Sequence, residues 1–242
     1  MKVLLGFMAL LAIASPGVAK KKDKVEPVVA VAVPEPVITP DNVLNLQLST
    51  GGTVVIALRP DKAPNHIARI QLLTRAGFYD GLLFHRVIEG FMAQVGDPKG
   101  TGEGGSPLPD LTAEFNDLPH VRGSVSMART SNPNSANSQF FIVFMPTLRL
   151  DNTYTVFGRV QSGMPYVDAI KRGEGEGGQV ASDPSRIVKA WIEADGPSAP
   201  RVPLPVVSLT PIPAPAAPAP APSSVPAPVP VAPSAPVTPP AN

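Results

Sequence analysis

Apolar and polar positions fall into three regimes along the 242 residues. Residues 3–14 form an unbroken apolar run behind a single positive charge, Lys2. Residues 42–195 carry short apolar runs separated by turn residues, and nearly all the aromatics lie there. From Gly196 onward the pattern collapses to Pro, Ala, Val and Ser. In the middle regime, TVVIAL at 53–58 is a β-branched run, and similar short runs occupy 83–88, 123–128, 139–144, 155–160 and 187–194. Each predicts a strand bounded by turns. Two segments read as helices. One starts at Pro64, a good first-turn residue, and runs to Gly77 with Ile67, Ile70 and Leu72 or Leu73 at helical spacing. The other starts near Met164-Pro165 and runs through YVDAIKR to Gly173. Many short strands with two helices predict an all-β sandwich or barrel with helical plugs.

The flanks divide the chain further. Residues 1–19 read as a secretory signal: Lys2, the apolar run, the helix breaker Pro16, then the small residues Gly17, Val18 and Ala19 before the cleavage point. The run is short for a bilayer span. Lys20, Lys21, Lys22 and Lys24 follow at once, and early positive charge resists translocation, so an uncleaved anchor is the competing reading. Residues 20–41 read as a spacer and 42–195 as the folded domain. Residues 196–242 read as a disordered Pro/Ala-rich tail: proline donates no backbone hydrogen bond, and this composition has little to bury.

Charge and composition exclude several functions. With 20 basic and 19 acidic residues there is no basic excess for a nucleic-acid partner. With no cysteine there is no disulfide, thiol catalysis or Cys-ligated zinc. Gly100 to Gly105 superficially resembles a phosphate loop, but Ser106-Pro107-Leu108-Pro109 follows where a helix is needed. Asp97, Glu103, Asp110 and Glu114 match no calcium-loop spacing and read as solvated loop residues. His66 and His120 have no second histidine at ligand spacing, and His85 reads as structural or pocket-edge.

One run stands apart. In Phe84-His85-Arg86-Val87-Ile88 a strand alternation would aim Arg86 the same way as Phe84 and Ile88. A guanidinium among apolar neighbours is costly unless paired or functional. Phe91, Met92 and Gln94 follow at once, and Gln139 and Phe141 offer a second amide and a second aromatic. Together they describe an apolar cup with one arginine and two amides on its rim. Such a cup suits rotation about an X-Pro bond. The barrier of about 18–20 kcal/mol comes from amide resonance. A donor aimed at the prolyl nitrogen favours the twisted state, and dry walls strengthen that hydrogen bond.

FHRVIEGFMAQVGD, the glycine-rich run, SVSMART, NSQFFIV and TVFGRV follow one another in the order found in cyclophilins, and the chain resembles that family over residues 43–192. The resemblance implies a closed eight-stranded antiparallel barrel capped by two helices, peptidyl-prolyl cis-trans isomerase activity and no cofactor or metal. It implies that Arg86 is the catalytic arginine and that Phe91, Met92, Phe141 and Leu150 wall the proline pocket. Gln94 and Gln139 resemble the positioning amides. Ala128 and Arg129 resemble the groove that meets the residue before proline, and Gly100 and Thr101 part of a rim loop. A pocket tryptophan of many eukaryotic members is Arg149 here, and a pocket histidine is Tyr154, as in bacterial relatives. These two substitutions imply weak sensitivity to cyclosporin.

The resulting expectation is a periplasmic, monomeric enzyme acting on proline-containing polypeptides, with no nucleic acid and no small-molecule cofactor. The alternative is an envelope chaperone or proline-binding module whose Pro-rich tail recruits a partner.

Overall fold

The computed structural model of the protein describes residues 38–175 and 177–205. The proposed signal at 1–19 and most of the spacer and tail lie outside them.

Eight strands form one antiparallel sheet: β1 (Val43–Leu48), β2 (Thr53–Leu58), β3 (Arg86–Ile88), β4 (Met92–Val95), β5 (Ser124–Met127), β6 (Phe140–Val143), β7 (Val156–Ser162) and β8 (Ile187–Ile192). Their spatial order is β3-β4-β6-β5-β7-β2-β1-β8. The expected closed barrel is therefore corrected to a curled half-barrel with β3 and β8 at its ends. Among the described residues the ends approach each other through the bridge of Leu83 with Arg186, supported by the Phe84 N–H to Ser185 and Ile187 N–H to Leu82 carbonyl bonds. A longer ladder is blocked on one side by Pro184, which has no N–H, and Asp183, whose φ of 44° is outside strand geometry.

Inward side chains of the sheet build the core. Leu44, Leu46 and Leu48 of β1 alternate inward with Ile56 and Leu58 of β2, and Phe140 and Phe157 meet edge-on at 6.0 Å. Helix α1 (Pro64–Arg75) buries Ile67, Ile70 and Leu73 in this core. Helix α2 (Met164–Asp168) is shorter than the pattern to Gly173 predicts. Beyond it the backbone donors are taken elsewhere: the Lys171 N–H by the Ser185 hydroxyl and the Gly173 N–H by the Val87 carbonyl.

Two boundaries shift. At the N-terminal side, Pro40–Asn42 form a 3-10 turn leading into β1. At the C-terminal side, the chain does not leave the domain at Gly196. Arg201 donates to the Thr74 and Ala190 carbonyls and pairs with Asp80, the Val202 N–H donates to the Arg75 carbonyl, and Leu204 packs on the core. The folded unit thus includes a strap of about ten residues whose composition resembles the tail.

Candidate active site

The register of three neighbouring strand pairs assembles the site. Arg86 faces Gln94, Gln94 faces Phe141, and Phe141 faces Ser126. Since cross-strand partners share a face, these four form a row across β3, β4, β6 and β5 on the side away from the main core. Alternation along β4 and β6 puts Ala93, Val95, Phe140 and Ile142 into that core and leaves Met92, Phe141 and Val143 as a second apolar cluster. Ile88, Phe91, Ala128, Leu150 and Tyr154 pack against this cluster. Phe84 does not share the face of Arg86. It is fully buried in the main core, because the chain from Leu82 to His85 is irregular and the alternation starts only at β3.

A cavity of about 440 Å³ opens on the row. It is lined by Arg86, Phe91, Met92, Gln94, Phe141 and Leu150, with Thr101, Ala128, Arg129 and Tyr154 around them. A neighbouring cavity shares Gln94, Ala128 and Arg129 and adds Gln139. Gly100 lines neither. It turns the chain at φ 68°, and its N–H donates to the Asp97 carbonyl. Arg149 stands outside the pocket wall with its guanidinium 5.4 Å from the Phe91 ring centre.

A directed chain of hydrogen bonds holds the arginine. Arg86 Nη1 donates to Gln94 Oε1 at 3.2 Å, and Gln94 Nε2 donates to Gln139 Oε1 at 2.8 Å. Gln139 Nε2 then donates to the Gly102 and Gly104 carbonyls at 2.9 and 2.7 Å. Each amide accepts on one side and donates on the other, so the order of atoms is fixed from arginine to loop. Arg86 Nε donates to the Gly177 carbonyl at 2.9 Å, and among the described residues none engages the Nη2 donors of this cavity-lining side chain.

Several contributors carry no strong sequence signal. Asp97 is 1% exposed and ties the rim loop by accepting the N–H groups of Lys99, Thr101 and Gly102. Burial alone would raise its carboxyl; the backbone donors of Lys99, Gly104 and Gly102 and the Thr101 hydroxyl outweigh that and hold it at about 2. His85 lines the cavity edge, where burial lowers its pKa. His120 stands behind the pocket wall, stacked on Phe141 at 6.2 Å and edge-on to Tyr154 at 6.5 Å. Its Nδ1 donates to Asp151 at 2.8 Å and its Nε2 lies 3.0 Å from the Ser126 hydroxyl. Burial pushes this imidazole toward the neutral form. The arrangement has the outline of a Ser-His-Asp triad, yet Ser126 is fully buried and its hydroxyl donates to the Thr155 carbonyl. It braces the wall and presents no nucleophile. Among the described residues no cluster of His, Cys, Asp and Glu suits a metal ion.

The site can therefore grip an apolar ring and aim a guanidinium at it. Its chemistry is that of hydrogen bonding and desolvation. The comparisons with known proteins agree on one family. A model of the family "Cyclophilin type peptidyl-prolyl cis-trans isomerase/CLD" matches residues 43–192. A probable peptidyl-prolyl cis-trans isomerase of Brucella suis is 53% identical over 168 residues, which are 64% of this chain and 85% of that protein. Peptidyl-prolyl cis-trans isomerase B of Bacillus subtilis is 41% identical over 52% of this chain and 89% of its own length. Among solved structures, a Cryptosporidium parvum cyclophilin crystallised in the presence of the dipeptide Ala-Pro superposes with a TM-score of 0.58 at 28% identity, covering 62% of this chain and 98% of its own. With its sheet, its pocket and its motifs all accounted for, the chain belongs to the cyclophilin-type peptidyl-prolyl cis-trans isomerases.

Proposed function

We propose that this isomerase works on exported polypeptides in the cell envelope, speeding folding steps held up at X-Pro bonds, with Arg86 as its catalytic group. Uncatalysed isomerisation takes tens to hundreds of seconds, long enough to limit folding. The export assignment rests on the leader-like pattern of residues 1–19.

The observation that carries the catalytic reading is the end of the Arg86 guanidinium that no described residue engages, beside an apolar cup. The proline ring of a client sits against Phe91, Met92, Phe141 and Leu150, with Tyr154 and Ala128 at the sides. Arg86 donates to the prolyl nitrogen as that atom becomes pyramidal and its lone pair leaves amide resonance. No covalent bond forms or breaks. Gln94 and Gln139 keep the guanidinium in place, so little reorganisation is needed at the transition state. The Ala-Pro dipeptide that accompanies the Cryptosporidium relative is taken to fit here too, since a methyl side chain before proline suits the groove at Ala128 and Arg129.

The test is a proline-limited peptide assay on the full chain. Arg86→Ala should lower kcat/KM by about 10²–10³, the scale for losing one aimed donor, with an unchanged unfolding midpoint. Equal activity in the variant and the wild type would overturn the role of Arg86.

A further inference from the structure

The pocket accounts for the domain and leaves the tail without a role. Past Pro205 the chain runs on for 37 residues without a single charged side chain. Those residues contain seven Ala-Pro dipeptides, from Ala214-Pro215 to Ala235-Pro236. Ala-Pro is the dipeptide present with the solved Cryptosporidium cyclophilin, and under the function proposed above it suits this cavity. The protein thus carries, covalently attached, several copies of a ligand for its own site. We propose that the outer Ala-Pro bonds of the tail occupy the Arg86 pocket of the same molecule, as intramolecular substrates that compete with clients. The inference rests on the pocket reading of the preceding subsection.

Reach decides which bonds take part. The strap fixes the start of the tail, because Arg201, Val202 and Leu204 are all held on the domain. A globule of this size is about 40 Å across, so the longest surface path between any two points is about 60 Å. A proline-rich chain spans about 3.1 Å per residue. Pro215 therefore reaches about 30 Å from Pro205, Pro228 about 70 Å and Pro236 about 95 Å. Wherever the strap ends relative to the pocket, Ala227-Pro228, Ala232-Pro233 and Ala235-Pro236 can arrive. Ala214-Pro215 falls short of the longest path. Tethering at such a length gives an effective concentration on the order of millimolar, enough to occupy a weak site substantially.

The chemistry of the pocket agrees. The tail offers neither a carboxylate side chain to Arg86 or Arg129 nor a cationic one to Glu103, so recognition is left to the ring, the preceding methyl and the backbone. That weak, uncharged fit suits a tethered ligand that a client must be able to displace.

The experiment is exchange NMR on the full chain, following the cis and trans signals of Val229, Ser234 and Val237, which succeed the three outer prolines. In the wild type these bonds should interconvert at least a hundredfold faster than in Arg86→Ala, at a rate independent of protein concentration. An added Ala-Pro peptide, followed in the same tube, reads the pocket itself. If that peptide is accelerated while the tail bonds stay slow, the inference fails and the isomerase reading stands. If neither is accelerated, the isomerase reading fails first. Acceleration of the tail that grows in proportion to concentration, and includes the bond before Pro215 equally, overturns the intramolecular contact in favour of a second copy. A companion variant, Pro228→Ala with Pro233→Ala and Pro236→Ala, should lower the KM for external peptide about twofold or more. An unchanged KM would count against occupancy.

Discussion

Asp97 shows how much of the site depends on a residue that never touches the ring. Its carboxylate gathers the N–H groups of the rim loop, and that loop supplies the Gly102 and Gly104 carbonyls on which the Gln139 amide rests. Disturbing the carboxylate disturbs the far end of the chain that orients Arg86. The folded carboxyl titrates at about 2 against an ordinary 3.8. A depressed pKa contributes stability that is complete above the unfolded value and lost as pH falls through the folded one. The difference corresponds to about 2 kcal/mol, complete above about pH 5 and roughly halved at pH 3. Asp97→Asn should therefore lower the urea midpoint clearly at pH 7 and much less at pH 3. A gap between variant and wild type that is the same at both pH values would show that the carboxylate charge is not what holds the loop.

The elements differ in how plainly the sequence announces them. Helix α1 is legible because Ile67, Ile70 and Leu73 recur at helical spacing behind Pro64, and they are the residues that the helix buries. Strand β1 alternates Leu44, Leu46 and Leu48 with Asn45 and Gln47, a period-2 signal weakened because leucine is no strong strand former. Strand β4 is four residues long, and its outward positions, Met92 and Gln94, serve the pocket, so neither length nor polarity marks it. The arginine and its apolar neighbours can be read locally. The relay from Arg86 to Gln94 to Gln139 cannot, since it depends on the registers of β3 with β4 and β4 with β6. The start of α1 is of the same kind. Ala63 offers no capping side chain, and Glu114 does the work from a distant loop, accepting the N–H groups of Asn65 and His66 at 3.1 Å each and the His66 ring at 2.6 Å. Burial opposes the ionised form of Glu114, and the His66 and Asn65 donors prevail and hold its pKa low. Removing a cap of this kind costs about 1–2 kcal/mol. Glu114→Ala should lose that much in denaturant titration and speed amide exchange in the first turn of α1. Exchange there as slow as in the wild type would mean that packing of Ile67 and Ile70 suffices to hold the helix start.

At the scale of the molecule, the strap sets where the domain ends and the tail begins. The composition changes at Gly196, but the fold does not. Two side chains hold 196–205 on the domain: Arg201 reaches Asp80 and the end of α1, and Leu204 packs on the core. Asp80 is already engaged by the Ala190 N–H at 2.9 Å, so the strap adds to a contact joining the loop after α1 to β8. Arg201→Ala removes the ion pair and two hydrogen bonds to carbonyls. The pair is about one-third exposed on each side, which limits its share. The bonds to the Thr74 and Ala190 carbonyls carry most of a loss of about 1–2 kcal/mol. For a domain of this size that is a drop of about 2–6 °C in Tm. None of the strap residues lines the Arg86 cavity, so kcat/KM for an external peptide should stay within about twofold. A Tm unchanged by Arg201→Ala would place the start of the tail nearer Gly196. The tether to the pocket would then lengthen by about nine residues, and Ala214-Pro215 would come within reach.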